Sequence, residues 1–214
     1  MWESSLGKSP APPRARTLRF LRVALLWSVF CAGCHPVPPV DTKPLDAAGM
    51  SYESVKQLKS LDIGTEEVAE MAKVRQAGFS DGACVQILQM YRGRQHSFDA
   101  GNAIAGLLGA GASEELVMNL ARLDQLGLGA GELEAMRLAG LSDEILLTVA
   151  RQRAAKQAVL SGASLAELKN LGLRSATLLA LVERGVPESQ AAAIMSSRRH
   201  GANDAQILRQ FPGS

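Results

Sequence analysis

The residues able to do chemistry are few: three cysteines, three histidines and the adjacent carboxylates Glu66-Glu67, Glu114-Glu115 and Asp143-Glu144 in a chain of 214. Paired carboxylates can divide general acid and base work or hold a hard cation. Each of these pairs, however, falls in the first turn of a helix predicted from the apolar spacing behind it, where the helix dipole stabilises negative charge. Their expected role is structural. Gly78-Phe-Ser80-Asp-Gly82 carries the letters of the Gly-x-Ser-x-Gly nucleophile elbow, which needs a strand before the serine and a helix after it. Val68 to Ala77 reads as helix, so Ser80 is expected to cap the next helix. Cys84 shares an apolar face with Ile87, Leu88 and Tyr91, the setting of a buried and inert thiol. His35, His96 and His200 include no pair four residues apart, and no complete phosphate loop of the Gly-Lys-Ser/Thr kind occurs. No catalytic residue, metal or cofactor is expected, and no enzyme.

The elements that position these residues are predicted to be helices throughout. Beyond Ser51 the apolar positions recur at helical intervals: Val68, Met71 and Ala72; Cys84, Ile87, Leu88 and Tyr91; Leu116, Val117, Leu120 and Leu123; Ala191, Ile194 and Met195. Glu115, Asn119 and Arg122 fall on the opposite face, and no run alternates with the period of a strand. The predicted fold class is all-α. One device punctuates it, clearest in Ala77-Gly-Phe-Ser-Asp81 and Ala139-Gly-Leu-Ser-Asp143. Glycine ends a helix in the left-handed conformation, the next apolar residue enters the core, and Ser or Asp caps the following helix. Variants stand at Gly111-Ala-Ser-Glu114, Gly172-Leu-Arg-Ser175, Gly185-Val-Pro-Glu188 and Gly201-Ala-Asn-Asp204. Gly78, Gly101, Gly111 and Gly127 are answered by Gly140, Gly162, Gly172 and Gly185, at nearly one offset for the first three pairs and a slightly shorter one for the last. This predicts two tandem helical repeats of about 62 residues, with halves 78–139 and 140–201, stacked so that a broad face is free for a partner.

Composition narrows the class further. The chain is 47% apolar and 4% aromatic, which excludes a fully disordered polypeptide and an aromatic-rich binding module. Five of its 23 basic residues and one of its 21 acidic residues precede residue 34, so the remainder holds 18 bases against 20 acids. Arg14, Arg16, Arg19 and Arg22 are followed by an uncharged run from Val23 to Gly33, the length of a secretory signal's apolar region and too short to span a bilayer. The chain is expected to be exported, with residues 1–33 as its signal peptide. Residues 35 to 50 carry four of the nine prolines (Pro36, Pro38, Pro39 and Pro44), so residues 34–50 are expected to form a tether, with the helical domain over residues 51–214.

Cys31-Ala32-Gly33-Cys34 resembles the lipobox of bacterial lipoproteins, in which two small residues precede the lipidated cysteine. The resemblance covers residues 14 to 35 and implies that Cys34 receives a diacylglyceryl group, is cut from the leader and is acylated at its new amino terminus. Cys31 stands where the family usually has an aliphatic residue. His35, where an aspartate would signal retention at the inner membrane, implies the outer membrane of the cell envelope. Two or three acyl chains hold a protein at a membrane almost permanently. Trp2 and Trp27 would leave with the leader.

A second resemblance lies in Leu123-Asp-Gln-Leu126-Gly-Leu-Gly129, continuing to Leu133 and Met136, which is similar to the helix-hairpin-helix motif that holds DNA phosphates with backbone amides. Leu168-Lys-Asn-Leu171-Gly-Leu-Arg174 follows it loosely, with Arg174 in place of the second glycine. Phosphate neutralisation needs a cationic surface, and the exported part is slightly acidic. Arg151, Arg153, Lys156, Arg198 and Arg199 are the residues that could form a local patch. The favoured expectation is a membrane-anchored helical scaffold that binds an unidentified protein partner, with exported DNA binding as the alternative.

Overall fold

Eleven residues with positive φ, each two positions past the end of a helix, divide the described chain into twelve short helices. The computed structural model describes residues 39–127 and 129–212. The leader, Cys31, Cys34 and His35 lie outside the described residues, as does Leu128. Odd-numbered helices α1 (Lys43–Ala47), α3 (Thr65–Gln76), α5 (Gly101–Gly109), α7 (Ala130–Leu138), α9 (Gly162–Asn170) and α11 (Ala191–Arg199) pack one against the next in a row. Even-numbered helices α2 (Tyr52–Ser60), α4 (Asp81–Gly93), α6 (Glu114–Arg122), α8 (Asp143–Ala154), α10 (Ser175–Glu183) and α12 (Asp204–Gln210) form a second row. Each odd helix and the even helix after it form a hairpin, and six hairpins stack. A single 3-10 turn among the described residues, Glu188–Gln190, leads into α11. The fold class is all-α, with no strand among the described residues.

Between the rows runs one apolar seam that includes Leu58, Met71, Phe79, Ile87, Leu88, Ile104, Leu107, Leu120, Leu133 and Met136. Burying each such side chain contributes about 1.5–3 kcal/mol, which short helices need because they are marginal alone. Tyr91 and Phe98 meet edge to face across the α4–α5 connection, 5.1 Å between ring centres. The two kinds of turn differ in chemistry. Every turn from an odd to an even helix uses glycine, at Gly49, Gly78, Gly111, Gly140, Gly172 and Gly201, with φ between +77° and +100°. The residue after the glycine is buried in five of them, as Met50, Phe79, Ala112, Leu141 and Leu173. Ser51, Ser80, Ser113 and Asn203 then cap the next helix through their side chains, as expected of the Gly-Ser/Asp device. The return turns carry their left-handed residue at Asp62, Gln95, Asp124, Lys156 and Gly185, so only one of five uses glycine.

Three expectations change. The tether is shorter than residues 34–50, because α1 forms within it. Pro44 sits in the first turn of α1, where a missing N–H costs nothing, and Leu45 and Met50 are buried. The folded unit begins at Val40. The smallest recurring unit is a single hairpin, since even helices begin at Tyr52, Asp81, Glu114, Asp143, Ser175 and Asp204. The spacing read from the glycines spans two hairpins. Gly127 and Gly185 are not counterparts: Asp124 holds the left-handed position that Gly185 holds two hairpins later, which accounts for the short offset of that pair.

Candidate interaction surface

The polar side chains nearest the turns are spent on joining hairpins. Arg75, Arg137 and Arg198 stand three residues before the turn glycines Gly78, Gly140 and Gly201. Each guanidinium donates to the carbonyl four residues on, at Phe79 (3.3 Å), Leu141 (3.1 Å) and Ala202 (3.0 Å). Each also donates to the turn-glycine carbonyl of the preceding hairpin, at Gly49 (3.2 Å), Gly111 (2.7 Å) and Gly172 (2.7 Å). Asp81, Asp143 and Asp204, six residues after each arginine, pair with it at 2.7, 3.5 and 3.4 Å. The same carboxylates accept from the N–H groups of Ser51 (2.8 Å), Ser113 (3.3 Å) and Arg174 (3.1 Å) one hairpin back. This clasp recurs at every second joint. Its signal, Arg-x-x-Gly-x-Ser/Asn-Asp, is present in the sequence at 75, 137 and 198, and reading the glycines alone misses the arginines.

Of the residues that look reactive in the sequence, Ser80, Glu67, Glu114 and Asp143 occupy such joints. Ser80 donates its hydroxyl to Glu114 (2.9 Å), whose other oxygen accepts from Ser80 N–H (2.7 Å), while the Ser80 oxygen receives Ala83 N–H. Ser80 therefore caps α4. Glu67 is buried and accepts from Gly64 N–H (2.7 Å), Phe98 N–H (2.7 Å) and both terminal nitrogens of Arg92. Burial works to raise its pKa, but Arg92 and the two N–H groups outweigh that and hold the carboxyl below the usual range. Glu188 is lowered likewise, its desolvation outweighed by bonds from Ser161 and Ser164. Glu66, Glu115 and Glu144 are exposed. Cys84 is fully buried, and desolvation, with the nearby Asp81 charge, pushes its thiol up to about 12. His96 and His200 are exposed on different hairpins, and the His200 ring bonds to the Ser196 carbonyl one turn back.

What remains for a partner is two unlike faces. Along the odd row several exposed or half-buried residues are small, among them Ala69, Ala105, Gly106, Ala135, Ala163 and Ala192, and they lie between charged groups such as Glu66, Lys73, Glu134 and Glu167; Leu138 is a large apolar side chain left 69% exposed. The even row presents long polar groups such as Lys56, Gln86, Gln89, Arg122, Arg151 and Gln206. A cleft of about 660 Å³ opens where α3 and α5 begin, with Glu66, Glu70, Asp99 and Asn102 in its walls. Of the basic residues that could form a patch, Arg153 pairs with Glu132 (2.6 Å), Arg198 is in a clasp and Arg199 pairs with Glu167 (2.5 Å), while Arg151 and Lys156 are exposed and outside every ion pair among the described residues. Near Gly127 stand the carboxyl groups of Asp99 and Asp124, the latter paired to Arg94 at 3.1 Å. No family model, no curated protein and no solved structure matches the chain.

Proposed function

We propose that the chain is a lipoprotein anchored through Cys34 in the cell envelope, at the outer membrane, whose stacked hairpins act as a scaffold for a protein partner. The observation that carries the scaffold reading is the use of the polar groups: Arg, Asp and Glu at the turns lock hairpin to hairpin, and two long helical faces are left for contact. Repeat arrays of this kind bind partners along extended faces. The anchor rests on the basic leader, the short apolar run and Ala32-Gly33 before Cys34. DNA binding loses support because Arg153, Arg198 and Arg199 are engaged with carboxylates and Asp99 and Asp124 stand near Gly127, where a phosphate would need cations.

Crosslinking of the intact protein in membranes, followed by purification, is expected to bring down a defined protein partner, and replacing Leu138 with Glu on the odd-row face is expected to reduce its yield. Salt-sensitive DNA binding at micromolar concentration or tighter, lost on replacing Gly127 and Gly129, would overturn the reading.

A further inference from the structure

The anchor sets a distance. Cys34 precedes Val40, where the folded unit begins, by six residues, a reach of no more than about 20 Å. A chain lipidated at Cys34 therefore holds the first hairpin close to the bilayer. Among the described residues that hairpin, α1 and α2, ends the stack and has neighbours on one side only. In α2, Val55 and Leu58 enter the core and the Ser54 hydroxyl lies against Asp81 at the start of α4. At about 100° per residue, Tyr52, Lys56 and Lys59 fall within an arc of about 60°, turned roughly 140–160° from Ser54 and so away from the rest of the stack. Tyr52 is 76% exposed, and both lysines are exposed and outside every ion pair among the described residues.

We infer that this arc of α2 rests on the membrane, with Lys56 and Lys59 against anionic lipid headgroups and the Tyr52 ring at the interface. The inference rests on the Cys34 anchor proposed above. Three features of the arc fit a lipid surface. An aromatic ring with a polar tip prefers the headgroup level. Lysine stems can lie along an apolar boundary while their ammonium groups stay wet. Each lysine near an anionic leaflet raises binding roughly five-fold. Glu53, the exposed acid of α2, lies about 60° beyond Lys56 and about 120° from Lys59, so it borders the arc without entering it. Asp41 and Asp46 near α1 oppose it, which makes the contact depend on how the hairpin is turned and not on net charge.

The test uses full-length protein expressed in bacteria, purified after processing and placed in vesicles. Trp2 and Trp27 precede Cys34, so Tyr52→Trp makes position 52 the only indole of the processed chain, and Leu138→Trp gives a control outside the end hairpin. Vesicles of phosphatidylglycerol with brominated acyl chains are expected to quench the indole at 52 at least two-fold and to leave the one at 138 unchanged. Lys56→Glu with Lys59→Glu, in protein whose circular dichroism matches the wild type, is expected to remove most of that quenching. Lipid on Cys34 by mass spectrometry, with position 52 quenched no more than position 138, would overturn the inference while leaving the anchor standing. An unmodified Cys34 would overturn both.

Discussion

The four helices α3–α6 and the four helices α7–α10 follow one another along the chain and trace the same turns, yet they are joined by different bonds. In the first set Glu67 gathers Arg92 and two backbone N–H groups in the interior. In the second, Gly129 stands at the position of Glu67, and Arg153 turns to Glu132 at 2.6 Å instead. Glu114 bridges to Ser80 in the first, while Ser175 occupies the equivalent place in the second and no carboxylate among the described residues reaches Ser142. The course of the chain survives these changes, so the left-handed stops and the apolar seam set it. Polar joints decide how firmly each pair of hairpins is held.

The largest expected effect follows from the joint that only the first set possesses. Glu67→Ala leaves Phe98 N–H without its acceptor and strips Arg92 of its carboxylate, leaving the guanidinium only the Leu61 (3.0 Å) and Asp62 (2.9 Å) carbonyls, and is expected to cost about 3 kcal/mol. Urea denaturation would measure it, and a loss under about 1 kcal/mol would mean that the Glu67 joint adds little. Because the Glu67 pKa is depressed on folding, its contribution is complete above the ordinary carboxylate range and is lost as pH falls through the folded value. Glu67→Ala should therefore also flatten the acid limb of the stability curve.

A smaller difference is expected at two glycines that occupy corresponding places. A Cβ on Gly101 would come within 2.6 Å of the Glu70 carbonyl oxygen and 2.9 Å of its Cα, atoms of the backbone that cannot step aside. On Gly162 it would meet Glu132 Cγ at 2.6 Å and Met136 Cγ at 2.7 Å, both in flexible side chains. Gly101→Ala is expected to destabilise by about 2 kcal/mol through overpacking. Gly162→Ala is expected to cost less than about 1 kcal/mol, since alanine's helix propensity returns part of the strain. Equal costs would show that α9 approaches α7 as tightly as α5 approaches α3.

The all-helical class and the glycine turns are legible in the sequence because glycine, an apolar residue and a capping serine each act on the few residues beside them. Gly78-Phe-Ser-Asp81 states its own geometry. The hairpin period is harder to read, because four of the five return turns use Asp62, Gln95, Asp124 and Lys156, residue types that occur anywhere. The joints are legible only in fragments: Asp81 reads as a first-turn acid, but its bond to Ser51 N–H joins distant parts of the chain and exists only once two hairpins stack. Residues 43–50 mislead because proline density signals an extended spacer, whereas Pro44 needs only a first-turn position to join a helix whose Leu45 is buried.

The smallest expected effect is a gain, obtained by giving the second set the joint it lacks. Where successive even helices begin at the shorter interval, as from Tyr52 to Asp81, Glu114 to Asp143 and Ser175 to Asp204, an aspartate spans the joint; where the interval is longer, from Asp81 to Glu114, the acid is one methylene longer. Ser175 opens α10 after such a longer interval. Ser175→Glu should therefore place a carboxylate on Ser142 N–H and hydroxyl as Glu114 does on Ser80. It also adds negative charge to the first turn of α10, beside Lys169, whose ammonium already lies 2.9 Å from the Ser175 hydroxyl. The expected stabilisation is about 0.5–1 kcal/mol, read as a higher urea midpoint at unchanged slope. The reciprocal change, Glu114→Ser, should cost a similar amount. A gain at Ser175 without a matching loss at Glu114 would assign the effect to helix charge alone and would deny the correspondence between the two joints.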